Sequence, residues 1–359
     1  MLLLKSTLKK LAIFSLILVA CCFFMVNKES AKNGRQLNQS IVTETIAEGN
    51  ICCTRLEDYA GPLHSIIKIL VDENHEESEA TVIKENLDLT VGGAWKPKNC
   101  VTKSRVAIII PYRDRTSHLF KLLKLLFQVL KRQQLDFRII LAEQNGTGIF
   151  NKGRVNNAAF QYAKRLKVDC VIFHDVDVLP EDDRIPYDCP REPLHLGGRV
   201  NTLKYVIWYN HMTGGALAIG MEHYELANGY SNEYWGWGGE DDDFGLRLKA
   251  AGLRINRPDD VIGKYTMLKH VKRHRQSTPL VHELLEKGVA RYRIDGLCCS
   301  NNFTIIKEEV KPLFHHIWVD VGEMNPEWKA VYERKVGSET PSVGTSSLVT
   351  KSSISTAHT

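Results

Sequence analysis

Asp175-Val176-Asp177 sets two carboxylates two positions apart, directly after an apolar run. Like charges at the end of a buried strand repel each other and resist desolvation unless a cation offsets them. Hard oxygen ligands suit Mn2+ or Mg2+, and such an ion can bridge the pair to a diphosphate. The plainer alternative is a strand-end turn whose acids stay in water. Arg113, Asp114 and Arg115 follow an earlier apolar run, where guanidinium groups can hold a uracil ring or phosphate oxygens, or simply close a solvated loop. The most distinctive stretch is Tyr234-Trp235-Gly236-Trp237-Gly238-Gly239-Glu240-Asp241-Asp242-Asp243. Glycine lets backbone approach a ligand closely, aromatic faces stack on the apolar faces of sugars, and a carboxylate can take the proton of an attacking hydroxyl. Acids also favour a helix N-terminus, but a cap needs one or two of them and no Trp-Gly-Trp. Met267 and His270 are three positions apart, and histidine is a common metal ligand. Around them Lys269, Lys272, Arg273, His274 and Arg275 make a basic stretch that suits a loop closing over a diphosphate.

The elements that must position these residues follow from hydrophobic periodicity. Val106 to Ile110 is an unbroken apolar run stopped by Pro111, the pattern of a strand buried on both faces. Thr116 or Ser117 is placed to cap a helix with apolar positions from Leu119 to Leu130. Phe137–Leu141 reads as a second strand, 151–166 as a second helix, and Cys170–Phe173 as a third strand running into His174 and the Asp-x-Asp pair. Phe244 to Ala251 is helical in pattern, with Gly252 as its C-terminal stop. Strands alternating with helices predict a doubly wound α/β sheet, whose ligands bind beyond the carboxyl ends of the strands, where both polar clusters fall. No G-x-G-x-x-G and no G-x-x-x-x-G-K-[ST] occurs, which argues against NAD binding and P-loop phosphotransfer.

The 359 residues are 43% hydrophobic and 25% charged, enough for a sizeable core, and a net charge of +5 calls for no nucleic-acid partner. Residues 1–10 carry Lys5, Lys9 and Lys10, and 11–26 are apolar but for Ser15, with no small-x-small cleavage site after them. The segment therefore reads as an uncleaved signal anchor rather than a cleaved signal peptide. Polar residues 27–50 read as a stem, 51–336 as the folded domain and the Ser/Thr-rich 337–359 as a disordered tail. Sequons at Asn38, Asn145 and Asn302 permit N-glycosylation in a lumenal location. Of nine cysteines, Cys21 and Cys22 lie in the apolar segment. The remaining odd number lacks zinc-type spacing and reads as disulfide-forming, with one thiol left over.

Together these motifs resemble the β1,4-galactosyltransferase family, which includes β1,4-N-acetylgalactosaminyltransferases. The resemblance rests on VAIIIPYRDR, RQQLDF, IFNKGRVNNAAF, VIFHDVDVLPEDD, NEYWGWGGEDDDF, RLKAAGLRINRP and WVDVG, in family order over roughly 52–322. It implies a GT-A fold, a UDP-sugar donor, Mn2+ and an inverting single displacement in the Golgi lumen, the chain being a single-pass type II membrane protein. Asp177, Met267 and His270 would bind the metal, although a thioether is a soft partner for Mn2+. Pro111, Tyr112, Arg113, Asp114, Arg115, Phe150, Asn151, Lys152, Val176 and Trp237 would contact the donor. Gly239, Glu240, Asp241 and Asp242 would face a GlcNAc-terminated acceptor, with Asp241 as base and Glu240 beside it. One disulfide would join Cys170 to Cys189; the other would join Cys100 to Cys52 or Cys53, with Cys53 taken as the working partner.

Three positions depart from the family pattern. Lys152 stands where members usually have arginine, keeping the charge but losing the bidentate fork. Pro279 to His282 supplies no arginine for the acceptor. Met212 stands where galactose-specific members carry tyrosine, and an apolar flexible side chain leaves room for a 2-N-acetyl group. Met212 therefore makes UDP-GalNAc the expected donor, ahead of UDP-Gal. The rivals are a HAD-type phosphatase, which shares a strand followed by Asp-x-Asp but puts it on the first core strand, and a non-catalytic lumenal glycan-binding protein. The stem and the odd cysteine also admit a homodimer.

Overall fold

The computed structural model describes residues 50–270 and 279–330. The expected cytoplasmic segment, anchor and tail, and the stem short of residue 50, lie outside the described residues, as does the Asn38 sequon. Among the described residues no helix is long and apolar enough to cross a membrane.

Two short helices, α1 (His64–Leu70) and α2 (Glu79–Glu85), precede the first strand. Then β1 (Arg105–Tyr112), α3 (Thr116–Arg132), β2 (Asp136–Gln144), α4 (Lys152–Arg165) and β3 (Cys170–His174) alternate as the periodicity predicts. Strands β4 (Val178–Pro180), β5 (Leu194–His195), β6 (Arg199–Val200) and β7 (Ala216–Gly220) follow, then α5 (Met221–Leu226), α6 (Glu240–Ala250) and β8 (Lys264–Met267). Helices α7 (Pro279–Glu286) and α8 (Gly288–Arg291) lead to the hairpin strands β9 (Thr304–Val310) and β10 (His315–Asp320).

Seven strands form one mixed sheet in the order β5-β7-β3-β1-β2-β10-β9. The central members β3, β1, β2 and β10 are parallel, and β7 and β9 pair antiparallel to them. The unbroken apolar run of β1 has a direct cause. Successive side chains point to opposite faces, and a helical layer covers each. Val106, Ile108 and Ile110 pack in one core with the α3 leucines, and Ala107 and Ile109 pack in the other with Val155, Ala158 and Ala159 of α4. The chain leaves β1 towards β2 on one side and β3 on the other, so a crevice opens at their carboxyl ends. A second sheet, β4-β8-β6, stands beyond that crevice.

Two local expectations are corrected. Thr116 does not cap α3: it is the first helical residue, and its hydroxyl pairs with Tyr112 Oη at 3.0 Å, while Arg115 holds the cap position without a side-chain bond. Helix α6 starts at Glu240 rather than Phe244, so the acidic run forms its first turn.

Candidate active site

Lys152 is the hub of the crevice. Asn151 caps α4, its Oδ1 accepting from Arg154 N at 2.9 Å and its Nδ2 donating to Asn232 O at 2.9 Å, which fixes the direction in which Lys152 leaves the helix. Lys152 Nζ lies 2.9 Å from Asp175 Oδ1, 3.0 and 3.2 Å from the two Asp241 oxygens, and 3.7 Å from Glu240 Oε1. Burial pulls the ammonium towards its neutral form, but Asp175, Asp241 and Glu240 outweigh this and hold its pKa well above that of an ordinary lysine. Burial pushes Asp241 up, against Lys152 and with Asp175, and the net direction is upward. Glu240 is raised by burial and then by Asp241. Four ionisable groups thus share one partly dry site, and burial and their mutual charges shift three of them from their ordinary values.

Asp177 and His270 meet at the neighbouring rim, and Met267 lies on the strand paired with the one that follows Asp177. Strand β4 pairs antiparallel with β8 so that Val178 lies opposite Met267, and Leu268 N donates to Asp177 O at 2.7 Å. His270 Nδ1 lies 3.2 Å from both Asp177 Oδ2 and Leu268 O. A proton on Nδ1 serves both acceptors and leaves Nε2 with a lone pair. Burial and then Asp175 raise the Asp177 carboxyl, against His270, Arg115 and Lys152, as expected where a cation belongs. Among the described residues no three His, Cys, Asp or Glu side chains converge on one point. Asp177 and His270 thus bring an oxygen and a nitrogen together, the donor types that a divalent ion accepts, while the Met267 sulfur accepts from the Thr202 hydroxyl at 3.7 Å.

Of the residues expected to contact the donor, Arg113 and Phe150 meet. The Arg113 guanidinium sits 5.2 Å from the Phe150 ring centroid, and Nη1 donates to Gly148 O. Gln144 holds this loop, accepting from Asn151 N at 2.7 Å and donating to Ile149 O at 2.9 Å. Gly236 N donates to Phe150 O at 2.8 Å, bringing the Trp-Gly-Trp turn alongside. Pro111 and Tyr112 end β1, Asp114 takes a left-handed φ of 52°, and Val176 is buried between the two acids. Trp237 is 50% exposed, whereas Trp235 is only 4% exposed under the Arg154 guanidinium, so one tryptophan is core and one is at the surface. Gly239, φ 96°, turns the chain into α6, and Tyr209 Oη donates to Asp242 Oδ1. Asp243 is structural: it is fully buried against Arg247, Arg291 and Tyr234.

Cys170 bonds Cys189, and Cys100 bonds Cys52; Cys53, the working partner, is exposed with a free thiol. Cys52 N donates to Val101 O at 2.9 Å, and this pairing turns Cys52 rather than its neighbour towards Cys100. Asn145 is exposed in the loop after β2, and Asn302 is half-buried. Tyr209, Gln144, Thr213 and Arg257 border the site without any spacing signal in the sequence.

Profiles described as the N-terminal region of glycosyl transferase group 7 and the N-terminal domain of galactosyltransferase match residues 55–190 and 194–271. The chain is 36% identical over 293 residues to β-1,4-galactosyltransferase 5 of Homo sapiens, covering 80% of this chain and 72% of the relative. It is 38% identical over 248 residues to human β-1,4-galactosyltransferase 3, covering 68% and 63%. Among solved structures it is similar to the Drosophila β1,4-galactosyltransferase 7, determined as a mutant with manganese, UDP-Gal and xylobiose. That likeness has a TM-score of 0.56 and 28% identity, over 63% of this chain and 97% of the fly chain. The catalytic domain with xylobiose gives 0.54 and 29%, over 63% and 97%. The sheet is therefore a GT-A sheet, and by motif order, fold and identity over most of its length this glycosyltransferase belongs to the β1,4-galactosyltransferase family.

Proposed function

We propose that the chain transfers galactose from UDP-Gal, with inversion, to the 4-hydroxyl of a terminal GlcNAc on a glycoprotein or glycolipid glycan. The observation that carries this reading is the convergence of Asp241, Glu240 and Asp175 on Lys152, beside the Asp177–His270 pair. Asp241 removes the acceptor proton, the freed oxygen attacks the anomeric carbon, and the bond to the UDP oxygen breaks on the opposite face. Asp177, His270 and Met267 would hold Mn2+, which when bound supplies Lewis-acid stabilisation of the departing diphosphate. Arg113, Arg115 and Phe150 hold the nucleotide, and Trp237 and Gly239 to Asp242 receive the sugars. The two disulfides and the apolar stretch from Leu11 to Val26 support a Golgi lumenal domain on a type II anchor, with 51–336 as the catalytic unit.

The names of the relatives favour galactose, as does the UDP-Gal found with the fly enzyme. Met212 alone favours the second reading, UDP-GalNAc. The deciding assay follows UDP release by the purified chain with Mn2+ and a GlcNAc-terminated acceptor, offering UDP-Gal and UDP-GalNAc in parallel. Faster turnover of UDP-Gal that falls roughly 100- to 10,000-fold in Asp241→Asn supports both donor and base. Faster turnover of UDP-GalNAc moves the donor to the Met212 reading, and an unimpaired Asp241→Asn removes Asp241 as base.

A further inference from the structure

We propose that Arg257, with His195, is a positioning residue that sets donor-sugar selectivity by clamping the irregular segment carrying Met212. The inference rests on the reading of Met212 as the side chain over the donor's C2 substituent. Residues 209–214 form no helix or strand, and Met212 N makes only a turn bond to Tyr209 O at 3.3 Å. The shape of this segment is therefore imposed by side chains from outside it. Arg257 Nη2 donates to Asn210 O at 3.0 Å and to Met212 O at 3.1 Å. His195 Nε2 lies 2.7 Å from Gly214 O, so Nε2 carries the proton and donates. Met212 is held between these two attachments. At the far end the segment touches the proposed base: a Cβ at Gly214 would stand 3.0 Å from Asp241 Oδ2, and the Thr213 hydroxyl donates to Asp241 O.

Both clamp residues stand on the sheet. His195 ends β5, which pairs with β7, and the residue before Arg257 is tied to the same edge by His195 N to Asn256 O and Asn256 N to Pro193 O, each 2.8 Å. Among the described residues Arg257 has no carboxylate partner; its charged neighbour is Arg199, and its Nε is buried without a hydrogen bond. A half-buried guanidinium without a counterion is unfavourable, and here its acceptors are the carbonyls of Asn210 and of Met212 itself. One planar nitrogen reaching two carbonyls fixes their spacing, which a flexible ammonium does less well.

The test compares kcat and KM for UDP-Gal and UDP-GalNAc in the full-length chain and in Arg257→Met, Arg257→Lys, His195→Gln and Met212→Tyr, with inhibition by UDP as a measure of nucleotide binding. Arg257→Met is expected to change the ratio of kcat/KM between donors roughly ten-fold, through KM, with UDP inhibition unchanged and partial recovery in Arg257→Lys. A purely structural role would lower both donors equally. An unchanged donor ratio in Arg257→Met, while Met212→Tyr moves it, overturns the clamp and leaves the Met212 reading standing. A ratio unmoved by Met212→Tyr as well overturns both. Should Arg257→Met not fold, Arg257→Lys and His195→Gln decide by the same ratio.

Discussion

At the scale of single residues, Lys152 gathers the acids of the crevice in a way that no motif spacing announces. By resemblance it is a lysine where family members are expected to have arginine, a loss of fork geometry. In the fold a point charge is what the site uses, because three carboxylates from two distant segments approach one Nζ from different directions. Lys152 is the main group opposing the burial-driven rise of the Asp241 pKa. As the proposed base, Asp241 must be ionised to act, so we expect activity to be lost as pH falls through its raised pKa, with the acid limb of kcat/KM above the range of a free aspartate. Lys152→Met removes the opposing cation, so we expect turnover to fall and the acid limb to move up by about 1–3 pH units, while Lys152→Arg leaves it near its original place. The limb describes the coupled Asp241–Glu240 pair rather than either acid. A pH profile of Lys152→Met that falls in height without shifting would sink the role of Lys152 in setting the base.

At the scale of elements, the legible parts are those that one period or one strong local signal decides. The runs of β1, β2 and β3 were readable because both faces are covered, and α4 because Asn151 caps it. The start of α6 was misplaced by four residues' worth of acids, since charge at a helix N-terminus and charge at a catalytic site look alike in sequence. Strands β5 and β6 have two residues each and carry no periodicity, yet β5 bears His195. The turn into α6 allows a prediction. Gly239 has φ 96°, and a Cβ there would lie 2.8 Å from both Tyr234 Cε1 and Val281 Cγ1. Gly239→Ala must strain the turn or push these side chains aside, at roughly 1–3 kcal/mol. Since Glu240 and Asp241 are the next two residues, we expect turnover to drop at least ten-fold and the melting temperature by several degrees. Wild-type turnover in a stable Gly239→Ala would show that the turn does not aim the acids.

At the scale of the whole molecule, pairs of distant residues decide what no local pattern can. Cys52 and Cys53 are adjacent and chemically equal, so their choice of partner was not legible. It is made by the Ile51–Val101 bridge, which turns one of two neighbouring side chains towards Cys100. The Lys152–Asp241 contact likewise spans 89 positions and appears only once α4 and α6 are packed. The disulfide provides a test at this scale. Cys52–Cys100 closes a loop of 48 residues, for which restriction of the unfolded chain predicts stabilisation of roughly 4 kcal/mol. That loop holds α1 and α2, and α2 packs on the outer side of α3. The catalytic crevice lies at the opposite, carboxyl edge of β1, away from the Cys52–Val101 pairing that precedes the strand. Cys52→Ser should therefore lower the melting temperature by roughly 8–16 °C, at the 2–4 °C per kcal/mol of a large domain. Its kcat at a temperature where it remains folded should stay within about two-fold of wild type, and Cys53→Ser should change neither quantity. Equal losses in the two variants would mean that the pairing exchanges between neighbours, and a loss confined to Cys53→Ser would place the native bond on the other sulfur.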